Sequence, residues 1–334
     1  MYILGLESSC DETSAAVVEM SEGVRKIRSN IIASQIDTHR LYGGVVPEIA
    51  SRAHIEAISR ITYEALDTAG ITLRDVGLVA VTSHPGLIGA LLVGVNFAKS
   101  LAYANNIPLV GVNHIKGHIA ANYLAFEELE PPFTALVVSG GHTSIYSADS
   151  YTSLCEIGAT RDDAAGEAFD KIGRVIGLPY PAGAAMDKLA CEGDKHAVTL
   201  PSPALAGDTL DFSFSGIKTA ALNYINNSKQ SGAEINRADL AASYTEKIVS
   251  AVTKKAEAAL DMTGSKKLVV AGGVAANSHL RASLESMCKK RGAEFFVPPL
   301  SLCGDNAAMI AAAGYYKFLD GKTADTSLNA SALD

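Results

Sequence analysis

Apolar positions along this chain fall into two recurring arrangements. In the first, a short apolar run passes through a small polar turn into a second run: Ile3 to Leu6 leads through Glu7-Ser8-Ser9-Cys10-Asp11-Glu12-Thr13-Ser14 into Ala15 to Val18. The same phrase returns where Ala135 to Val138 leads through Ser139-Gly140-Gly141-His142-Thr143 into Ser144 to Ser147. Such runs around a polar turn predict a β-hairpin each time. In the second arrangement a strand precedes a helix: Gly77 to Thr82 before a helical stretch at Gly89 to Ala104, and Lys267 to Ala271 before one at Ala276 to Lys290. Strands alternating with helices predict an α/β fold, with helices covering a largely parallel sheet.

Two copies of this unit, about 130 residues apart, predict two similar domains. The break is expected near Glu127 to Pro132, where acidic residues and two prolines interrupt both periodicities, giving domains at 1–126 and 127–334. A C-terminal helix at about 305–320 is expected to pack back on the first domain. The polar stretch Asn226 to Asn236 reads as a surface loop, and the small, polar tail beyond Gly321 as frayed.

Composition narrows the class. With 334 residues, 48% hydrophobic and 19% charged, the chain is globular, which excludes disorder and coiled coil. A net charge of −8 means that any nucleic acid must meet a local basic patch or a partner's patch. Five cysteines (Cys10, Cys155, Cys191, Cys288, Cys303), odd in number and never in CxxC spacing, fit free thiols in a reducing compartment, so the cytoplasm is expected. No cationic segment precedes an apolar one at the amino terminus, and the most apolar later stretch, Gly86 to Ala98, is far below the roughly 20 residues that span a bilayer. No membrane association is expected.

Ligands of α/β sheets bind at the carboxyl ends of strands, and here those ends carry Ser139-Gly140-Gly141, Ser83-His84-Pro85-Gly86 and Gly272-Gly273. Glycines at such ends let backbone N–H groups approach an anion; the alternative is a tight hairpin turn. Neither a P-loop nor a dinucleotide fingerprint is present. His114-Ile115-Lys116-Gly117-His118 sets two imidazoles four residues apart, on one face of a helix, where they either grip a metal or are ordinary histidines of a first turn. A zinc protease would need HExxH, and position 115 is Ile. Asp305, in a polar triplet ahead of an apolar helix, is either a site residue or an N-cap. Phe212 to Thr219 reads as a strand edge turning into a helix.

Together, Glu7 to Thr13, Tyr42 to Glu48, His114 to His118, Ser139 to Thr143, Asp163 to Lys171, Phe212 to Thr219 and Gly272 to Asn277 resemble the TsaD family, also called Gcp, YgjD or Kae, from residue 1 to about 315. The resemblance implies two actin-like, sugar-kinase and Hsp70-like (ribonuclease H-type) domains with a nucleotide cleft between them. It implies transfer of threonylcarbamoyl from threonylcarbamoyl-adenylate to N6 of adenosine 37 in tRNAs reading ANN codons. Carried over residue by residue, it places a divalent ion, Fe2+ or Zn2+, on His114, His118 and Asp305. The adenine nucleotide (ATP, AMP or the adenylate) falls to Val137, Val138, Ser139, Gly140, Gly141, Asp170, Gly183, Asp187 and Asn277. Asp11 or Glu12 is the expected acceptor of the N6 proton. Expected partners are tRNA, a TsaB-like paralogue, a TsaE-like ATPase and a separate synthase that supplies the adenylate. Arg25, Lys26, Arg28, Arg40, Arg52, Lys289, Lys290 and Arg291 are candidates for tRNA phosphates, or simply solvated. The chain departs from the usual pattern at Ala182 and Ala184, where the family has Gly and Pro, and at Gly304, where it has Thr. Rival readings are a small-molecule kinase or acyl-phosphate enzyme of the same fold, and an HxxxH metalloendopeptidase.

Overall fold

The computed structural model describes residues 1–203, 205 and 207–333. Ten strands are present among them: β1 (Tyr2–Glu7), β2 (Glu12–Ser21), β3 (Val24–Ser34), β4 (Val76–His84), β5 (Leu109–Asn113), β6 (Phe133–Val138), β7 (Thr143–Ala148), β8 (Leu154–Ala159), β9 (Lys267–Ala271) and β10 (Glu294–Phe296). The helices are α1 (Ile36–Arg40), α2 (Pro47–Ala69), α3 (Ile88–Asn105), α4 (His114–Ala125), α5 (Ala165–Val175), α6 (Gly183–Ala190), α7 (Ser215–Ser231), α8 (Arg237–Thr263), α9 (Ser278–Arg291) and α10 (Ala307–Leu319).

The strands form two five-stranded sheets of the same topology, β3-β2-β1-β4-β5 and β8-β7-β6-β9-β10. In each, the first three strands run antiparallel through hairpins and the last two run parallel to the first. This repeated mixed order is the ribonuclease H-type arrangement, and both predicted hairpins and the predicted strand Lys267 to Ala271 take their places in it. The chain forms two compact units: one from Met1–Pro131, Ser150–Ser153 and the chain from Pro298 onward, the other from Pro132–Asp149 and Leu154–Val297. These bounds differ from the expected division at 126 and 127. The first unit is discontinuous, a property that local periodicity does not carry. No helix among the described residues is long and apolar enough to cross a membrane.

In the first unit the strand period of two decides what each face of the sheet meets. Leu4 and Leu6 point into a core with Ile61 and Ala65 of α2 and Val95 and Ala98 of α3. Gly5 points the other way, toward α10, so closely that a Cβ on it would lie 2.1 Å from the Ala307 carbonyl oxygen. Gly117 of α4 meets α10 as closely, since a Cβ there would come 2.7 Å from Ile310 Cδ1. The Ala307 N–H donates to the Ser14 hydroxyl across 2.9 Å, fixing the start of α10 to β2.

Two expectations are corrected here. Asn226 to Ser231 is the last part of α7, which ends only where Gly232 adopts a left-handed conformation (φ 70°), so the loop is confined to 232–236. The tail beyond Gly321 is tied down rather than frayed: Ala324 N–H donates to Leu109 O at 2.8 Å, Ser331 N–H to Ser83 O at 2.9 Å, and Leu328 packs on the core.

In the second unit α7 starts without a cap of its own at Phe214. Asp162 supplies one from a distance, accepting the backbone N–H groups of Phe214 (2.8 Å) and Ser215 (3.3 Å) and the hydroxyls of Ser213 and Ser215. Burial pushes the Asp162 carboxyl up, but these donors outweigh it and hold it below the usual carboxylate range. Asp162→Ala is expected to cost about 1–2 kcal/mol, by analogy with lost helix caps, seen as a lower urea midpoint at unchanged slope. An unchanged midpoint would show that solvent replaces the cap at no cost.

Candidate functional site

The C-terminal ends of β1, β4 and β5 lie side by side because the three strands are parallel. Glu7 ends β1 two residues beyond Gly5, on the face that α10 covers. Thr82 lies near the end of β4, and His114 opens α4 directly after β5. The N-cap of α4 is Asn113, whose side chain accepts the Lys116 N–H at 2.9 Å. One turn on, His118 projects from the same face as His114, and the two rings meet edge to face with centroids 4.7 Å apart.

Asp305 completes the cluster. It precedes α10, but the cap of that helix is Asn306, which accepts the Met309 N–H at 3.1 Å. The Asp305 carboxylate is turned to the histidines instead, with Oδ1 3.5 Å from His114 Nε2 and 3.2 Å from His118 Nε2. One ligand atom from each of the three residues lies within 4.8 Å of the others.

Behind His114, Nδ1 lies 2.9 Å from Glu7 Oε2 and 3.1 Å from the Ser9 hydroxyl. Glu7 has no exposed side-chain surface and also accepts the Thr82 hydroxyl at 2.6 Å. Burial pushes its carboxyl up, yet the His114 charge, the His114 hydrogen bond and the Thr82 hydroxyl outweigh burial and leave it below its ordinary value. An ionised Glu7 calls for a proton on Nδ1, inferred from its partner, and leaves Nε2 as the nitrogen that faces Asp305. Carboxylate, histidine and open nitrogen in line is how proteins orient a metal-binding imidazole.

His118 supplies the test of fit. Both of its ring nitrogens are buried and neither makes a hydrogen bond with the described residues, although the Asp305 carboxylate lies 3.2 Å from Nε2. A buried imidazole nitrogen left unmade costs on the order of 1–3 kcal/mol, and a cation bound at Nε2 removes that cost. The electrostatics agree. Burial lowers the affinity of His114 for a proton, but Asp305 and Glu7 overcome it and push its pKa up to about 9, so the pocket favours positive charge. Two imidazoles and one carboxylate suit a borderline divalent ion.

Asp11 and Glu12 occupy the β1–β2 turn beside this cluster. Glu12 is half-buried and pushed up to about 10, first by burial, then by the charges of Asp305 and Asp11 and by its hydrogen bond to Asp11.

The second unit repeats the strand-end geometry. Val137 and Val138 are fully buried within β6, so their side chains hold the sheet. Ser139 closes the following turn through its N–H to His142 O (2.8 Å) and its hydroxyl accepting from the His142 N–H (3.1 Å). Gly140 and Gly141 are exposed, and a Cβ on either would meet nothing within 4 Å. The fold thus does not need these two glycines, whereas it does need Gly272, at φ 93° with a Cβ position 2.5 Å from Val138 O.

Three other expected ligand residues are engaged as anchors. Asp170 accepts the Ala182 N–H at 2.6 Å. Asp187 accepts the Ser278 N–H (3.0 Å) and hydroxyl (3.0 Å), and Asn277 caps α9 through the Leu280 N–H at 2.9 Å. Gly183 opens α6, with free space around its Cβ position. Ala182 sits at φ −89°, so the backbone there makes no demand for glycine. Glu7, Ser9 and Thr82 stand around His114 without having been expected there; Glu7 and Ser9 lie in the phrase Glu7 to Thr13, and Thr82 at the end of a predicted strand.

Replacing Glu7 by Gln keeps the shape of the side chain and removes its charge. Divalent-ion affinity is expected to fall about tenfold to a hundredfold in a chelator competition titration. An unchanged affinity would reduce Glu7 to a packing residue.

Comparison with known proteins gives a consistent picture. The family described as TsaD, tRNA N6-adenosine threonylcarbamoyltransferase, matches residues 26–312. Proteins of that name from Clostridium botulinum (strain 657 / Type Ba4) and Clostridium perfringens (strain 13 / Type A) are 54% and 52% identical, over 98% of this chain and 96% of theirs. Among solved structures, full-length HypF in its phosphate- and nucleotide-bound form aligns with TM-score 0.61 at 17% identity, covering 100% of this chain and 47% of its own, so this chain spans about half of that protein. Component A of the Acidaminococcus fermentans (R)-2-hydroxyglutaryl-CoA dehydratase aligns with TM-score 0.55 at 15% identity, over 95% and 98% of the two chains. Such distant likenesses bear on the fold, and they place both units in the actin-like class. Since one profile spans most of the chain and relatives above half identity span nearly all of it, the chain is a member of the TsaD family of tRNA N6-adenosine threonylcarbamoyltransferases.

Proposed function

We propose that this chain transfers the threonylcarbamoyl group of threonylcarbamoyl-adenylate to N6 of adenosine 37 in tRNAs reading ANN codons. The observation that carries the reading is the His114–His118–Asp305 cluster, with Glu7 behind it, in a chain of this family. In the reaction N6 attacks the carbamoyl carbon, a C–N bond forms, and the bond from that carbon to the phosphate oxygen breaks to release AMP. Because the mixed anhydride is already activated, the protein's work is to position the reactants and stabilise charge. A divalent ion, iron or zinc, held by His114, His118 and Asp305 would supply Lewis-acid polarisation of substrate oxygens.

The chain's own residues do the rest. Glu7 holds His114 in its tautomer. Asp11 or Glu12, which share a hydrogen bond at the β1–β2 turn, takes the N6 proton. Backbone N–H groups of Gly140 and Gly141 approach the adenylate phosphate, as their unhindered Cβ positions allow. The Asp187 and Asn277 anchors fix the start of α9, where the adenosine rests. A TsaB-like paralogue and a TsaE-like ATPase complete the tRNA site in the cytoplasm, since the chain's net charge of −8 supplies little general attraction for tRNA.

Purified chain, preformed threonylcarbamoyl-adenylate and unmodified tRNA, with and without those partners, test the proposal by mass spectrometry of the tRNA nucleosides. Modified adenosine is expected. Its absence under both conditions, with phosphorylation of a small molecule instead, would favour a kinase of the same fold.

A further inference from the structure

Around the Asp187 anchor, the second unit brings together a nucleophile, a base and an orienting carboxylate. Cys191 follows α6 and is exposed. Its Sγ lies 4.0 Å from Nε2 of His279 in the first turn of α9. The other ring nitrogen, Nδ1, lies 2.8 Å from Asp187 Oδ1. A carboxylate at Nδ1 keeps the proton there and turns the lone pair of Nε2 toward the sulfur. The Cys191 thiol also reaches the Asp187 carbonyl oxygen at 3.4 Å, one helical turn back, which holds the sulfur in place. Thiol, imidazole and orienting carboxylate in this order is the arrangement that activates a cysteine for nucleophilic attack.

The other cysteines lack it. Burial, then the neighbouring Asp11 and Asp305 charges, push the Cys10 thiol far up, and burial pushes Cys288 up to about 11. Cys303 is buried. Cys155, the second exposed thiol, rests on the Glu156 backbone carbonyl at 3.7 Å, with no imidazole beside it among the contacts of the described residues. It serves as an internal reference.

We infer that Cys191 is a reactive thiol, activated by His279 and oriented through Asp187, and that it is a site of exchange with low-molecular-weight disulfides. In the exchange, the Cys191 proton passes to His279 Nε2. The thiolate attacks one sulfur of the small disulfide, a new S–S bond forms and the old one breaks. The departing thiolate takes the proton from His279. Cys191 is oxidised to a mixed disulfide while one half of the reagent is reduced to a thiol, so atoms and electrons balance. The inference stands on the second unit alone and does not depend on the transfer reaction.

The test exposes the full chain at pH 7 to oxidised glutathione, and in parallel to 5,5′-dithiobis(2-nitrobenzoate), and follows each cysteine by peptide mass spectrometry. Cys191 is expected to react about tenfold faster than Cys155. His279→Gln keeps a donor toward Asp187 but has no base; it should bring Cys191 down to the Cys155 rate while Cys155 stays unchanged and reports an intact fold. Equal rates for Cys191 and Cys155 in the unsubstituted chain, which need no variant to measure, would overturn the inference. So would a Cys191 rate untouched by His279→Gln.

Discussion

His118→Ala is expected to strip the chain of its divalent ion and to lower threonylcarbamoyl transfer by at least about a hundredfold, since outer-shell partners alone are worth ten- to a hundredfold. The reasons lie in the buried ring. His118 spends its nitrogens on no hydrogen bond with the described residues, so its value is the coordinate bond it can make. His114 is different, being braced from behind by Glu7 and Ser9. Metal content by elemental analysis and transfer from preformed adenylate should therefore fall together in His118→Ala, at a circular dichroism spectrum like that of the parent. A variant that stays metal-loaded and active would remove the cluster from the mechanism.

The second large effect is expected from Gly141→Val. A Cβ at this position meets nothing within 4 Å, so the turn tolerates a side chain and the thermal midpoint should hardly move. A phosphate drawn up to the backbone N–H groups of Gly140 and Gly141 would meet the valine methyls instead. AMP affinity, measured by calorimetry, should drop at least about a hundredfold, a loss near 2.7 kcal/mol by the usual conversion. Gly272→Val makes the contrast, because at φ 93° and 2.5 Å from Val138 O it should unsettle the fold itself. If Gly141→Val bound AMP as the parent does, the glycine pair would be a turn and nothing more.

How much of this was legible in the sequence depends on the range of the interaction. Period-two runs located β1 with β2 and β6 with β7, because a hairpin is settled by neighbours and a turn. The same patterning gave β9 to the residue. Position along the chain misled at Asn226 to Ser231, where polar residues lie on the solvent side of α7 and the stop is a single left-handed glycine. It misled again in the tail, whose order comes from Leu109 and Ser83, more than two hundred residues earlier.

The site shows the same division. An i, i+4 histidine pair on one helix is a local signal and was read from spacing. Asp305, almost two hundred residues away, stood out by its polar triplet ahead of an apolar helix but was joined to the histidines only by the family resemblance; of its two readings the cap falls to Asn306. Glu7 opens the phrase Glu7 to Thr13 but had no role assigned from it; what singles it out is the register that places it on the α10 face, within reach of His114. Asp170, Asp187 and Asn277 were expected at the nucleotide, and each is engaged in holding a loop or helix start, which no spacing rule distinguishes from contact with a ligand.

The close seat of α10 against Gly5 and Ser14 bears on how the protein is made. Residues 132–149 and 154–297 build the second unit, and they leave the ribosome before Asp305 and α10 do. The first sheet must therefore wait, with the face around Gly5 uncovered, while an entire second unit is synthesised and can fold. Any metal held by all three residues would in consequence be captured among the last events of biosynthesis, and a nascent chain halted near residue 297 would hold both histidines and Glu7 yet lack the Asp305 carboxylate.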